Sequence, residues 1–214
     1  MTAEEDRLRN ASLRVAQWHR HVNAVHAPVA LRHWLSADGS LTAKLKAHSH
    51  TFRVQRLHQR SAMCWFDEAA PIGLPRPKRV RERTVLLHCD GVAVVYAHTV
   101  MPLTATASDW PLFGALGERS LGSTLFGDPQ VRRGPLQFAR LRLAHPLAQQ
   151  ALAAAGDACH AAPILYARRC VYRRKRGLLL VTEVFLPPVA SLGRSARMVT
   201  TDDNARDDWL AAAR

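Results

Sequence analysis

Residues 83–100 read RTVLLHCDGVAVVYAHTV, two apolar runs on either side of Asp90-Gly91. The Asp-Gly dipeptide accepts the positive φ angles of a two-residue hairpin turn, and runs rich in Val and Leu favour extended strands. The stretch therefore predicts a β-hairpin whose first strand includes Arg83 and whose second strand begins at Val92 and ends at Pro102.

Other segments predict further strands of the same sheet. Residues 51–57 alternate polar and apolar side chains, which predicts a strand, and residues 136–143 predict another. Residues 164–172 and 178–186 are apolar runs joined by a basic turn, in which Gly177 is available for a positive φ angle. These runs predict a second hairpin late in the chain.

The first part of the chain predicts helices. Apolar residues recur every three or four positions over residues 4–22, which is typical of an amphipathic helix. A short helix over residues 31–35 ends at Asp38-Gly39, and Ser40 caps another helix that begins at Leu41. We expect this pair to form a tight helix-turn-helix.

Later segments predict a loop and two helical regions. Residues 67–77 are rich in Pro and Gly and predict a loop. Residues 109–126 predict a helical region interrupted by glycines, and residues 146–155 predict a helix that Gly156 terminates.

Hairpins and segregated helices, without β-α-β alternation, predict an α+β fold: a mainly antiparallel β-sheet with helices packed on it. We expect a single domain over residues 1–188, with a peripheral N-terminal helix within residues 1–26. The composition changes after Pro188, so residues 189–214 are predicted to be a loosely ordered tail with a short helix near Trp209.

Composition indicates a globular cytoplasmic protein. Hydrophobic residues make up 48% of the chain and charged residues 22%, and no apolar run approaches the ~20 residues that a membrane span needs. The acidic start of the chain is unlike a signal peptide. The four cysteines show no CxxC spacing, so we expect them to be reduced and mostly buried.

The net charge of +13 is extreme for a chain of 214 residues. Such a field attracts anions, among them nucleic acid, acidic lipid and small polyanionic substrates. An Arg-rich surface that reflects genomic composition explains the same number, so charge alone does not choose a function.

Two charged residues lie in otherwise apolar strands. Period two places Glu183 on one strand face with Leu179, Val181 and Phe185, where a carboxylate must be protonated, paired or hydrogen-bonded. An acid-base group and a structural ion pair both fit that position. Arg83 opens an apolar run, and its guanidinium either enters a pocket or stays in solvent.

Four stretches together resemble the chorismate pyruvate-lyase family in order and spacing. They are GSLTAKL at 39–45, RTVLLHCDG at 83–91, LGERSLGSTLF at 116–126 and LLLVTEVFLP at 178–187. The resemblance covers roughly residues 31–188 and excludes the N-terminal extension and the tail.

The resemblance implies the site residues. The family's substrate contacts fall on Arg83, on Leu121 with Gly122, on Glu183, and on Leu41, where some relatives carry methionine. Arg83 would bind the ring carboxylate and Glu183 would contact the ring hydroxyl of the substrate, and these two are the candidate catalytic residues.

The implied activity is elimination of pyruvate from chorismate to leave 4-hydroxybenzoate for ubiquinone biosynthesis, without a cofactor. The family's site is enclosed beneath flaps, and the helix-turn-helix that carries Leu41 is the expected flap. Release of product is then a candidate for the slow step.

Adjacent arginines and paired histidines complete the candidates. Arg168 and Arg169 project to opposite strand faces, so at most one reaches the pocket, where it would bind the pyruvyl carboxylate; both are equally explained as surface charge. The paired histidines at 19 and 21 and at 48 and 50 lack a third ligand at suitable spacing, so we predict no metal.

Two alternatives come from other classes. Effector domains of some bacterial transcription regulators share this fold, so a non-enzymatic ligand sensor is one; the residues before Leu31 are too few for a winged helix. A nucleic-acid-binding module is the other, suggested by charge and by the helix-turn-helix, but the stacking aromatics of such modules are missing. We expect a monomer that does not bind nucleic acid and has no membrane span.

Overall fold

The structure is a computed structural model that describes residues 15–105, 109–111, 113–156 and 162–192. Seven strands form its centre. They are β1 (Phe52–Met63), β2 (Arg79–Cys89), β3 (Val92–Pro102), β4 (Val131–Arg133), β5 (Gln137–Arg142), β6 (Ile164–Arg174) and β7 (Gly177–Phe185). Five α-helices accompany them: α1 (Val29–Leu35), α2 (Leu41–Lys46), α3 (Phe66–Ala69), α4 (Leu121–Gly127) and α5 (Pro146–Ala155).

The strands make one antiparallel sheet in the order β1-β2-β3-β7-β6-β4, and β5 also pairs with β6. Both predicted hairpins are present. Asp90 and Gly91 have φ angles of 51° and 82°, as the two-residue turn requires. The predicted α+β class is confirmed.

The glycine of the second hairpin has a different role from the one predicted. Lys175, not Gly177, has the positive φ angle in that turn, at 50°. A Cβ atom on Gly177 would lie 2.5 Å from the Cβ of Asp109, so glycine is needed here because another part of the chain approaches closely.

The predicted helix-turn-helix and the predicted helix over residues 146–155 are confirmed. The Ser40 hydroxyl accepts a hydrogen bond of 3.3 Å from the Ala43 amide at the start of α2. Helix α5 ends at Gly156, whose φ angle is 73°. Within the predicted helical region 109–126, the described residues form only a 3-10 turn, Phe113–Ala115, and the start of α4.

The predicted N-terminal helix over residues 4–22 is wrong for the residues that the structure describes. Residues 15–21 are not helical, and a 3-10 helix covers Val22–Val25. His19 forms an isolated β-bridge with Phe138, with a 2.8 Å hydrogen bond in each direction, because the edge strand β5 offers unpaired backbone groups. The remaining part of the predicted helix lies outside the described residues.

Two predicted irregular segments contain packed structure. Residues 67–77 were expected to be a loop but include most of α3 and a 3-10 turn, Ala70–Ile72. Residues Pro187–Ser191 form another 3-10 helix, and Val189 is fully buried, so packing continues beyond residue 188. The rest of the tail, including Trp209, lies outside the described residues.

The sheet has two different faces, which we name by their occupants. The front face carries Val85 and Leu87, and these pack with Trp34, Leu41 and Leu45 of α1 and α2. The back face carries Leu86 and Tyr96 together with Val184, and α5 packs on it. Alternation of side chains along the strands therefore separates the two layers of the core.

Two further expectations concern cysteines and membranes. Cys64, Cys89 and Cys170 are free and buried, as predicted, while Cys159 lies outside the described residues. In the described part of the chain, no helix combines the length and the apolar character needed to cross a bilayer.

A buried charged cluster lies on the back face. The Nε2 atom of His98 lies 2.9 Å from Oε1 of Glu68, and both side chains are almost fully buried. The geometry is off the ideal hydrogen-bond line, so we treat the contact as an ion pair. Burial alone lowers the pKa of His98, but the nearby carboxylates of Glu68, Glu82 and Asp67 oppose it and the net pKa shift is upward.

This pair predicts a pH dependence of stability. A histidine whose pKa is raised by folding stabilises the protein below its ordinary pKa of about 6.5, and that stabilisation is lost as the pH rises through the raised value. We expect the free energy of unfolding, measured by urea denaturation, to fall by up to about 1.4 kcal/mol per pH unit in that window. His98→Gln should flatten the slope, and the partly exposed His88→Gln should not; equal slopes in all three proteins would contradict the assignment.

Candidate active site

A cavity of about 550 Å³, counting its open mouth, lies on the front face of the sheet beneath α2 and α4. Its lining is mostly apolar and comes from strands β1, β2, β3, β6 and β7 and from the two helices. The structure brings every site residue predicted from the sequence to this one cavity: Leu41, Arg83, Leu121, Gly122 and Glu183.

Arg83 is a buried cation that lacks an acidic partner among the described residues. Its side chain leaves β2 on the front face, the residue is 2% exposed, and Nη2 donates to the carbonyls of Gly117 at 3.0 Å and Arg119 at 2.9 Å. The Nε atom has no hydrogen-bond partner there. Burial, and then repulsion from Arg56, lower the pKa of Arg83 to about 10, so the group is still charged at neutral pH.

Glu183 projects from β7 into the same cavity. Its Oε2 accepts a hydrogen bond of 2.5 Å from Nε of Arg168, and its side chain is 20% exposed. The sequence allowed two interpretations of Glu183, an acid-base group and a member of a structural ion pair. The structure contains the ion pair, and the pair faces the cavity.

The two neighbouring arginines take opposite faces, as the strand period predicted. Arg168 lines the cavity. Arg169 lies on the back face, where Nη1 is 4.0 Å from a carboxylate oxygen of Asp67 and the guanidinium stacks on Trp18 at 4.2 Å. Of the two, only Arg168 is placed to act in the pocket.

The strand register sets the distance between the two ends of the cavity. Arg83 lies opposite Thr99 of β3, while Glu183 lies opposite Ala97 of the same strand. Two strand spacings across the sheet and two residues along it separate the Cα atoms of Arg83 and Glu183 by about 12 Å. The cavity lies between these two side chains.

Helices α2 and α4 meet above the cavity. The hydroxyl oxygens of Thr42 and Ser120 lie 2.6 Å apart and form a hydrogen bond between the two helices. A Cβ atom on Gly122 would lie 3.2 Å from Oγ1 of Thr42, so glycine permits this close approach. Leu41 is 4% exposed beneath this contact.

Sequence reasoning missed Thr99 and Tyr172, which also line the cavity and are 2% and 8% exposed. Burial raises the pKa of Tyr172, so its phenol is neutral at physiological pH. Tyr172 lies four residues beyond Arg168 on the same strand, and the strand period is a signal that places both on one face.

Other parts of the structure offer weaker candidates. A wider groove of about 930 Å³ is lined by His19, His26, Arg140, Arg142 and His145, but no carboxylate is among its lining residues. Within the described ranges, no group of three or more His, Cys, Asp and Glu side chains is arranged to hold a metal ion. The fold and the cavity together define the class, a single-sheet α+β protein with a half-enclosed pocket that contains a buried guanidinium and a carboxylate.

Comparison with known proteins identifies the family. The family model described as chorismate lyase matches residues 12–194. The chain belongs to the chorismate lyase family, and its enzyme class is that of a lyase.

Curated relatives are similar over most of their length. A probable chorismate pyruvate-lyase of Cupriavidus metallidurans is 47% identical over 173 residues, which are 80% of each chain. The protein of the same description from Cupriavidus pinatubonensis is 51% identical over 160 residues, which are 75% of this chain and 82% of the relative.

Among solved structures, the effector domain of PhnF from Mycobacterium smegmatis has a TM-score of 0.51 and 18% identity, covering 70% of this chain and 89% of that domain. At this identity the likeness concerns the fold alone.

The close approach of α2 and α4 predicts that a larger side chain at position 122 destabilises the protein. A valine at position 122 would push against Thr42, so we expect Gly122→Val to lower the free energy of unfolding by about 1–3 kcal/mol, as overpacking does. Gly127→Val is the matched control, since the space around Gly127 on the same helix is open. Urea denaturation of both variants measures the difference, and equal stabilities would contradict the close approach.

Proposed function

We propose that this chain is a chorismate pyruvate-lyase that eliminates pyruvate from chorismate and leaves 4-hydroxybenzoate. The observation that carries the proposal is the pairing of one unmatched buried guanidinium, Arg83, with a carboxylate, Glu183, at the two ends of one cavity. The names of the two Cupriavidus relatives support the same substrate.

Arg83 binds the ring carboxylate in this proposal. A buried cation without an acidic partner is costly, and an anionic ligand supplies the missing charge. The two carbonyl contacts of Nη2 hold the guanidinium plane, while the unpartnered Nε leaves donor capacity for a carboxylate.

Glu183 orients the ring hydroxyl at the other end of the substrate. The ring carbon that bears this hydroxyl loses its hydrogen, the neighbouring carbon–oxygen bond to the enolpyruvyl group breaks, and the proton is finally recovered in the methyl group of pyruvate. Aromatisation of the ring drives the reaction, so positioning in a dry pocket contributes more than strong acid-base chemistry. No cofactor is needed for this step.

The proposal extends to the role and state of the protein. 4-Hydroxybenzoate is the aromatic precursor of ubiquinone, which makes this a biosynthetic enzyme. We also propose a cytoplasmic monomer, and size-exclusion chromatography with light scattering measures the mass. The competing function is a non-enzymatic ligand sensor. The observation that favours it is the fold shared with the PhnF effector domain.

The deciding experiment mixes purified protein with chorismate and follows 4-hydroxybenzoate by its absorbance and pyruvate by a coupled assay. We expect equal amounts of both products. Tight binding of 4-hydroxybenzoate without turnover of chorismate would favour the sensor, and neither binding nor turnover would overturn the assignment of the pocket.

Replacement of Arg83 should remove the carboxylate anchor. We expect Arg83→Met to reduce kcat/KM for chorismate by about 100-fold or more, because charge-assisted hydrogen bonds to the substrate are lost. Arg56→Met is the control, since Arg56 is an exposed arginine on the neighbouring strand whose charge acts on Arg83. Similar kinetics for both variants would contradict the role of Arg83.

Two replacements of Glu183 separate orientation from proton transfer. Glu183→Gln keeps an oxygen that accepts a hydrogen bond from the substrate hydroxyl but cannot take up a proton. If orientation is the main role, we expect a loss in kcat of only about tenfold for Glu183→Gln and a larger loss for Glu183→Ala. A loss of about 10²-fold to 10⁴-fold in both variants would instead indicate acid-base catalysis by Glu183.

A further inference from the structure

We infer that Arg168 is a positioning residue that aims Glu183 at the hydroxyl of the substrate and ties it to the end of helix α1, the first helix of the flap. The inference rests on the proposed function and assigns a role that Arg83 and Glu183 do not cover.

The contact between Arg168 and Glu183 is built into the sheet. The two residues lie directly opposite each other on β6 and β7, so their side chains meet without either strand having to bend. The hydrogen bond joins Nε to Oε2 at 2.5 Å, and the Arg168 side chain is 3% exposed. Arg168 therefore holds one carboxylate oxygen in a fixed place.

The other carboxylate oxygen is left for a ligand. Among the described residues, Oε1 of Glu183 makes no hydrogen bond, whereas Oε2 is occupied by Arg168. Glu183 is also the more exposed partner, at 20%. A hydroxyl group of the substrate thus meets an oxygen whose direction has been set beforehand, which lowers the ordering cost of binding.

The same guanidinium binds the end of α1. Its Nη1 atom donates to the carbonyls of Ala37 at 2.7 Å, Leu35 at 3.2 Å and Trp34 at 3.3 Å. The last carbonyls of a helix lack partners within the helix, so this contact satisfies them and fixes where α1 stops. Because α1 leads through Asp38-Gly39 into α2, Arg168 connects Glu183 to the flap that carries Leu41.

The charge balance of Arg168 distinguishes its positioning role from the role of a second anchor for a substrate carboxylate. Arg83 has no acidic partner among the described residues, whereas the charge of Arg168 is already balanced by Glu183 at hydrogen-bond distance. A balanced ion pair attracts a further anion weakly. We therefore assign Arg168 to Glu183 and not to the pyruvyl carboxylate, which the sequence left as a possible ligand of this arginine.

Two aromatic acids distinguish the roles. Benzoate presents only the carboxylate that Arg83 binds, and 4-hydroxybenzoate adds the hydroxyl that Glu183 accepts. We expect the wild-type protein to bind 4-hydroxybenzoate at least roughly tenfold more tightly than benzoate in calorimetric titrations, the effect of one hydrogen bond to a charged group.

Arg168→Met should remove that preference and leave the affinity for benzoate within about threefold. Arg168→Lys, which keeps the charge and is expected to fold, should also lose most of the preference, because one ammonium group cannot hold Glu183 and three carbonyls together. Arg173→Met, at an exposed arginine on the same strand, is the matched control and should behave as wild type.

A double-variant cycle tests whether Arg168 acts through Glu183. Arg168→Met should lower kcat for chorismate in the wild-type background and have little further effect in a Glu183→Ala background. Hydrogen exchange should accelerate in residues 29–46 of Arg168→Met and not in the Arg173→Met control, since the carbonyl contacts at the end of α1 are lost.

The outcomes are separable. An equal loss of affinity for both acids would make Arg168 a direct anchor, and a preserved preference in both Arg168 variants would remove any positioning role; either result overturns the inference while the proposed function stands. A wild-type protein that binds both acids equally also overturns it. Failure of the wild type to bind either acid overturns the proposed function as well.

Discussion

The register between β2, β3, β7 and β6 is the constraint on which the site depends. Four neighbouring strands each contribute front-face side chains. Their pairing places Arg83 two strands away from Glu183, and it places Arg168 directly opposite Glu183. A shift of one residue in any of these pairs would turn its functional side chain to the back of the sheet. Burial of α1 and α2 against the front face and of α5 against the back face opposes such a shift.

The two faces handle charge differently. On the back face the buried charges are matched with one another, since His98 lies beside Glu68 and Arg169 lies near Asp67. On the front face Glu183 is matched by Arg168, but Arg83 is held only by backbone carbonyls. The described chain thus balances its buried charges except at the one position where an anionic ligand would complete the balance, which is the physical reason to place recognition there.

Much of this fold was predictable, and the errors have identifiable causes. The hairpins, the Ser40 cap and the helix ended by Gly156 depend on neighbours within a few residues, and all were predicted correctly. The predicted N-terminal helix gave way over residues 15–21 to pairing of His19 with the edge strand, and Glu68 in the predicted loop became a buried partner of His98. In both cases a distant partner outweighed the local pattern.

The sequence by itself determined the alternation that puts Arg83 and Glu183 among apolar neighbours, because strand period and turn chemistry act over short stretches. Counting back from the Asp90-Gly91 turn, however, places Arg83 opposite His98, and only the register shift between Leu87 and His88 brings Thr99 there instead. The tertiary structure likewise decided that Arg168 joins Glu183 to the carbonyl of Trp34, which lies 134 positions away along the chain. Such contacts depend on how helices and sheet pack, and no local pattern encodes that.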